Sequence, residues 1–157
     1  MTHCCEHNCI DELKDDHKKI LEALDELEKN VDSLTINKEG IKEFLHFTET
    51  FAEPHHQKEE QVLFPALEKK GVPKEGGPIG MMLFEHDTKR GYVKELRKAL
   101  ADGKEIGIKE NAQNIIFLLR DHISKEENVL YPMAQEVLTE DEMAGLGGQC
   151  ERIKKSI

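Results

Sequence analysis

Histidine and glutamate recur in this chain at a spacing that suits metal chelation. Residues 55–65 read His-His-Gln-Lys-Glu-Glu-Gln-Val-Leu-Phe-Pro, and 67 residues later 122–132 read His-Ile-Ser-Lys-Glu-Glu-Asn-Val-Leu-Tyr-Pro. On a helix, residues four apart stand one above the other, so His55 with Glu59 and His122 with Glu126 each form a chelating pair. Two such pairs on facing helices could hold one metal ion, or two ions bridged by the carboxylates. A second superposition, at an offset of 69, lays His17, Glu26 and Leu27 over His86, Glu95 and Leu96. The chain thus reads as two helix pairs, each offering one lone His and one His-x-x-x-Glu.

Four amphipathic helices are expected to position these groups. In helix 1 the apolar seam Ile10, Leu13, Ile20, Leu24, Leu27, Val31, Leu34 has one vacancy, and His17 fills it. The helix should end near Leu34, with Asn37 the N-cap of helix 2. There Ile41, Phe44, Leu45, Thr48, Phe51, Ala52, His55, Glu59, Val62 and Ala66 share a stripe, with Glu60 about 100° away. His46 falls on the solvent face, and His56 is rotated from the seam, either behind the ligands or exposed. Pro54 and Pro65 should kink this helix. The Gly/Pro-rich stretch 71–78 is the loop between the halves.

In helix 3, from about Ile79 to Leu100, Met82, Leu83, His86, Val93, Leu96 and Leu100 face inward and Glu85 mostly outward. Asp102 and Glu105 are set for a capping box on helix 4, whose Ile115, Leu118, Leu119, His122, Glu126, Val129 and Met133 face the core. Thr139 with Glu142 suggests another cap and a short C-terminal helix, followed by glycines and a loosely packed tail. The expected division is a Cys/His-rich tail at 1–9, one domain at 10–138, and the short helix and tail at 139–157.

The 157 residues, 38% hydrophobic and 34% charged with no Trp, suit a single amphipathic all-α domain. A net charge of −10 argues against nucleic acid or an anionic membrane as partner. No apolar run reaches membrane-spanning length and the N-terminus lacks a signal-peptide core, so a cytoplasmic protein is expected. Of the four Cys, three crowd at positions 4, 5 and 9, unlike a disulfide framework. With His3 and His7 they could bind a soft metal, although a frayed terminus is the simpler reading. Cys150 reads as structural.

Imidazole and carboxylate without thiolate suit iron, zinc, manganese or nickel, and exclude an iron-sulfur cluster at this site. Six polar groups in helix seams would be costly to bury without a neutralising partner, which favours a cation pair over a metal-free His and Glu network. If Glu59 and Glu126 both bridge and the four His divide two and two, each metal has four protein donors and an open position. A catalytic zinc would more naturally have three protein ligands.

At these residues the sequence resembles the hemerythrin family, specifically its His-His-Glu (HHE) cation-binding domains. The resemblance covers about 10–138 and rests on the two His-x-x-x-Glu-Glu motifs with their Leu-Phe-Pro and Leu-Tyr-Pro tails, Asp16-His17, and Gly77 to Leu83 leading into Glu85-His86. It implies an up-down-up-down four-helix bundle holding an oxo- or hydroxo-bridged, non-heme di-iron centre, with His17, His55, Glu59, His86, His122 and Glu126 as ligands. Two departures separate the chain from the oxygen carriers of the family: helix 3 has His86 alone rather than two His four apart, and helix 4 ends in His-x-x-x-Glu rather than His-x-x-x-x-Asp. Both resemble the iron-sulfur-repair and iron-sensing branches. The expected function is binding or sensing of O2, NO or peroxide at the open iron position. The alternatives are a redox enzyme or iron donor of the iron-sulfur-repair type, whose redox partner the chain does not identify, and simple iron storage.

Overall fold

The computed structural model describes residues 8–32 and 34–155, so His3, Cys4, Cys5 and His7 lie outside the described residues. Five helices are present among those described: α1 (Cys9–Asp32), α2 (38–69), α3 (Pro78–Asp102), α4 (105–137) and α5 (Glu140–Lys155). There is no strand among the described residues, and no described helix is long and apolar enough to cross a membrane.

Local chemistry sets the ends of these helices. Asn8 caps α1 by accepting from the Asp11 N–H, and Asn37 caps α2 by accepting from the Gly40 N–H at 3.1 Å. The α1 helix stops at Asp32, two residues short of the expected end, and Leu34 is fully exposed. The expected Asp102–Glu105 box does not form. Asp102 instead closes α3, Gly103 takes the left-handed conformation at φ 69°, and Lys104 precedes α4. Thr139 and Glu142 do make the reciprocal box at the start of α5.

The apolar residues gather into two clusters, one at each end of the bundle. Ile20, Leu24, Leu27, Ile41, Leu45, Leu96, Ile115 and Leu119 belong to one; Leu13, Leu63, Phe64, Leu67, Ile79, Met82, Leu130 and Tyr131 belong to the other. Chain order through these clusters makes α1 to α4 run up, down, up and down. Between the clusters lies a polar layer of buried residues: His17, His55, His56, Glu59, His86, Lys89, His122 and Glu126.

Prolines shape this layer. Each of Pro54, Pro65 and Pro132 is preceded by one π-helical turn, at Thr48–Ala52, Glu59–Leu63 and Glu126–Leu130. Proline has no N–H and its ring crowds the carbonyl one turn back, so the helix widens and the Phe64 and Tyr131 N–H groups reach the carbonyls of Glu59 and Glu126 five residues earlier. In a regular α-helix a residue five positions on lies about 140° away around the axis. The wide turn brings Phe64 and Tyr131 back over the layer. It also turns Val129, expected in the core, to 55% exposure, while Leu130 is buried.

The α5 helix departs most from expectation. It runs through its glycines to Lys155 and buries Met143 and Cys150 in the second apolar cluster, beside Cys9 and Ile10 of α1. Cys9 accordingly opens a helix rather than ending a tail.

Candidate metal centre

All six residues expected from sequence converge in the polar layer. His17, His55, Glu59 and Glu126 form one group whose potential ligand atoms lie within 4.8 Å of one another, and Glu59, His86, His122 and Glu126 form a second. The two carboxylates are common to both, the arrangement needed for two bridged ions. All six side chains are at most 1% exposed. His46 is exposed on α2, away from them.

The outer nitrogen of each imidazole is held by a carboxylate from another helix. His55 Nδ1 meets Asp16 Oδ2 at 3.0 Å, and His86 Nδ1 meets Glu60 Oε2 at 2.7 Å. His122 Nδ1 meets Glu85 Oε1 at 2.8 Å, and His17 Nδ1 meets Glu127 Oε2 at 2.8 Å. These contacts form a closed ring: α1 supports the imidazole of α2, α2 that of α3, α3 that of α4, and α4 that of α1. Fixing Nδ1–H against a carboxylate leaves Nε2 directed inward, the usual support behind a metal-bound histidine.

A third layer steadies two of these carboxylates through the Lys of each repeat. Lys58 Nζ bridges Asp16 and Glu12, both at 2.9 Å, and Lys125 Nζ bridges Glu85 at 2.6 Å and Asp121 at 3.0 Å. Arg90 joins Glu60 to Glu53. Glu60 and Glu85, read from helical phase as pointing away or outward, thus turn to neighbouring imidazoles. The second Glu of each motif and the acid before each lone His were the available signals.

The inner face has unmet valence. Glu59 Oε1 faces His86 Nε2 at 3.1 Å and Glu126 Oε2 faces His122 Nε2 at 3.3 Å, yet none of these four buried atoms makes a hydrogen bond of good geometry. Two imidazole nitrogens and two carboxylate oxygens turned on one buried point without hydrogen bonds mark a place where a cation fits.

The proton affinities agree. Burial works against charge on His17, His86 and His122, yet each lies between two carboxylates and its pKa is raised, for His122 to about 10. Burial likewise works against the Glu126 carboxylate, but His122 and His17 hold its pKa well down. For His55 burial prevails and the pKa falls. The raised proton affinity of three imidazoles marks the positions where a metal would bring positive charge.

Above the layer, Tyr131 stacks on His17 at 12° and donates from Oη to Glu59 Oε2 at 2.7 Å, while Phe64, its counterpart in the first repeat, stacks on His86 at 16° without a hydroxyl. His56 is fully within the layer, its ring centroid 4.2 Å from that of His86. Its nitrogens belong to neither ligand group. Burial and the neighbouring cationic groups push its pKa well down, which keeps the ring neutral.

Residues 8–134 match the family model described as the hemerythrin HHE cation binding domain. Among curated proteins the chain is similar to the iron-sulfur cluster repair protein YtfE of Escherichia coli (strain K12 / DH10B) and to that of Shigella boydii serotype 18 (strain CDC 3083-94 / BS512). Each is 33% identical over 108 residues, which cover 60% of this chain and 47% of the relative. The chain therefore spans about half the length of these relatives. A family match over most of the chain, on the helices that build this layer, makes the protein a member of the hemerythrin HHE cation-binding family.

Proposed function

We propose that this chain is a non-heme di-iron protein of the iron-sulfur-repair type, in which His17 and His55 hold one iron, His86 and His122 the other, and Glu59 and Glu126 both. The observation that carries the proposal is the pair of four-residue groups sharing two carboxylates, with four imidazoles and no thiolate. That donor set suits iron, and each metal would have four protein donors, leaving room for an oxo or hydroxo bridge and an exchangeable position. The similar proteins named for iron-sulfur cluster repair favour repair chemistry over oxygen carriage.

A bound iron pair would supply one-electron redox chemistry and a coordination position for NO or peroxide. The chain's own residues do the rest. The carboxylate ring fixes the four Nε2 atoms, the apolar clusters above and below exclude water, and the Tyr131 hydroxyl holds a proton beside Glu59.

The test is to load the protein with Fe(II) without air, measure iron per chain, and add it, with dithiothreitol as the electron source, to a [4Fe-4S] enzyme from which peroxide has removed one iron; in a parallel assay NO or peroxide is added to the loaded protein with the same reductant. Return of cluster absorbance with stoichiometric loss of iron from this protein supports iron donation. Catalytic loss of NO or peroxide with iron retained supports the redox form. Two irons per chain with a reversible spectral change on adding O2 or NO, and neither of those results, favours binding or sensing.

A further inference from the structure

The two halves of the polar layer differ at three positions. Thr48, His56 and Lys89 are buried; His56 lies against His86 and His122, and Lys89 bonds to Thr48. By the offsets that relate the repeats, their counterparts are Ile115, Ile123 and Ile20, also buried. Aliphatic side chains therefore fill these positions in one half, and packing alone does not call for polar ones in the other.

His56 is the unsatisfied member of the three. Neither ring nitrogen of His56 has a hydrogen-bond partner, and no carboxylate stands behind this ring as one does behind the other four imidazoles of the layer. Lys89 Nζ donates to Thr48 Oγ1 at 2.5 Å and is close enough for its charge to act on His56. The His56 ring lies with its centroid 4.2 Å from that of His86 and 6.2 Å from that of His122. A buried N–H donor with no acceptor, near a buried lysine whose hydrogen bond runs to a neutral hydroxyl, matches the needs of a small anion.

We propose that His56, backed by Lys89 and Thr48, forms a subsite for a small anionic ligand at the His86–His122 metal position, with His56 the direct hydrogen-bond donor and Lys89 the compensating charge. The other metal position, where the repeat puts isoleucines in place of these three residues, has no such subsite. The inference rests on the di-iron reading and makes the pair unequal: exogenous anions bind at one end.

Azide is the probe. Wild-type protein, His56→Leu, His56→Gln and Lys89→Met are loaded with iron, oxidised, assayed for iron per chain and titrated with azide by visible absorbance. All four should hold two irons per chain. Azide affinity should fall about tenfold or more in His56→Leu and in Lys89→Met, the scale of one hydrogen bond to a charged group, and His56→Gln should recover much of it. The metal-free proteins give a separate readout, since replacing an unpartnered imidazole by leucine should raise the unfolding midpoint.

Full iron with azide affinity within twofold of wild type in both variants overturns the subsite alone. Loss of one iron in a folded His56→Leu protein also overturns it, by making His56 a ligand. A wild-type chain that takes up no iron pair overturns the di-iron reading, and the subsite with it.

Discussion

The Tyr131 phenol reaches from α4 to α2 and donates to Glu59 Oε2 at 2.7 Å, with His17 Nε2 at 3.3 Å from the phenol oxygen. It arrives there because the π turn at Glu126–Leu130 brings a residue five positions on back over the layer. Phe64 occupies the matching place in the other repeat, so a phenyl ring fits such a site. Tyr131→Phe should therefore keep the packing and the iron content while removing a donor from a buried carboxylate. The metal-free protein should lose about 1–3 kcal/mol by urea unfolding, and no loss would mean that the contact contributes nothing.

The ligand assignment separates three kinds of histidine and acid. His55→Ala and Glu126→Ala should each lose metal and loosen the bundle, whereas His46→Ala, on an exposed face, should change neither. Asp16→Asn and Glu85→Gln leave the inner donors in place but weaken the support behind His55 and His122. Metal affinity should fall about 10–100-fold in each. Metal analysis and competition with a chelator measure both effects; equal iron in His55→Ala, Glu126→Ala and His46→Ala would refute the assignment.

The repeat and the helical seam made the bundle and the six central residues legible in the sequence, because a polar residue in an apolar stripe is a local signal. The carboxylate ring was not, because it joins different helices. A phase argument places Glu60 and Glu85 from their own helix axis, while the imidazole donors that turn them inward, His86 and His122, belong to the next helix. Val129 was misplaced because a π turn shifts the phase after Glu126. The glycines of α5 read as breakers, yet burial of Met143 and Cys150 against α1 outweighs their poor helix propensity.

Cys9 and Cys150 are buried, and burial pushes both thiols up to about 12. The thiolate is the reactive form, so neither should react readily in the folded protein. Iodoacetamide at pH 8 followed by peptide mass analysis should leave both unmodified until denaturant is added. Rapid labelling of either in the native protein would mean that α5 opens from α1.

The metal-free protein should lose stability as pH rises from 6.5 to 8. Burial lowers the proton affinity of His122, but Glu126 and Glu85 outweigh it and raise the pKa to about 10, and His17 and His86 are raised in the same way. A raised folded value means that the imidazolium stabilises fully below the unfolded pKa near 6.5, and that this contribution drains away as pH climbs toward the folded one. His55 and His56, with lowered values, act on the acid side: their contribution is present above 6.5 and is lost below it. Above about 8, Lys89, whose pKa burial has pushed down to about 8, begins to oppose the loss. The window from 6.5 to 8 therefore isolates the protonated imidazoles. A cation at the two groups displaces those protons, so loading with Fe(II) near pH 7 should release protons and flatten the pH dependence of unfolding. Denaturant midpoints at three pH values, with and without metal, and proton release during titration in lightly buffered solution measure both. A metal-free midpoint that rises across this window would show that the imidazoles are neutral there and that the carboxylates do not hold their protons.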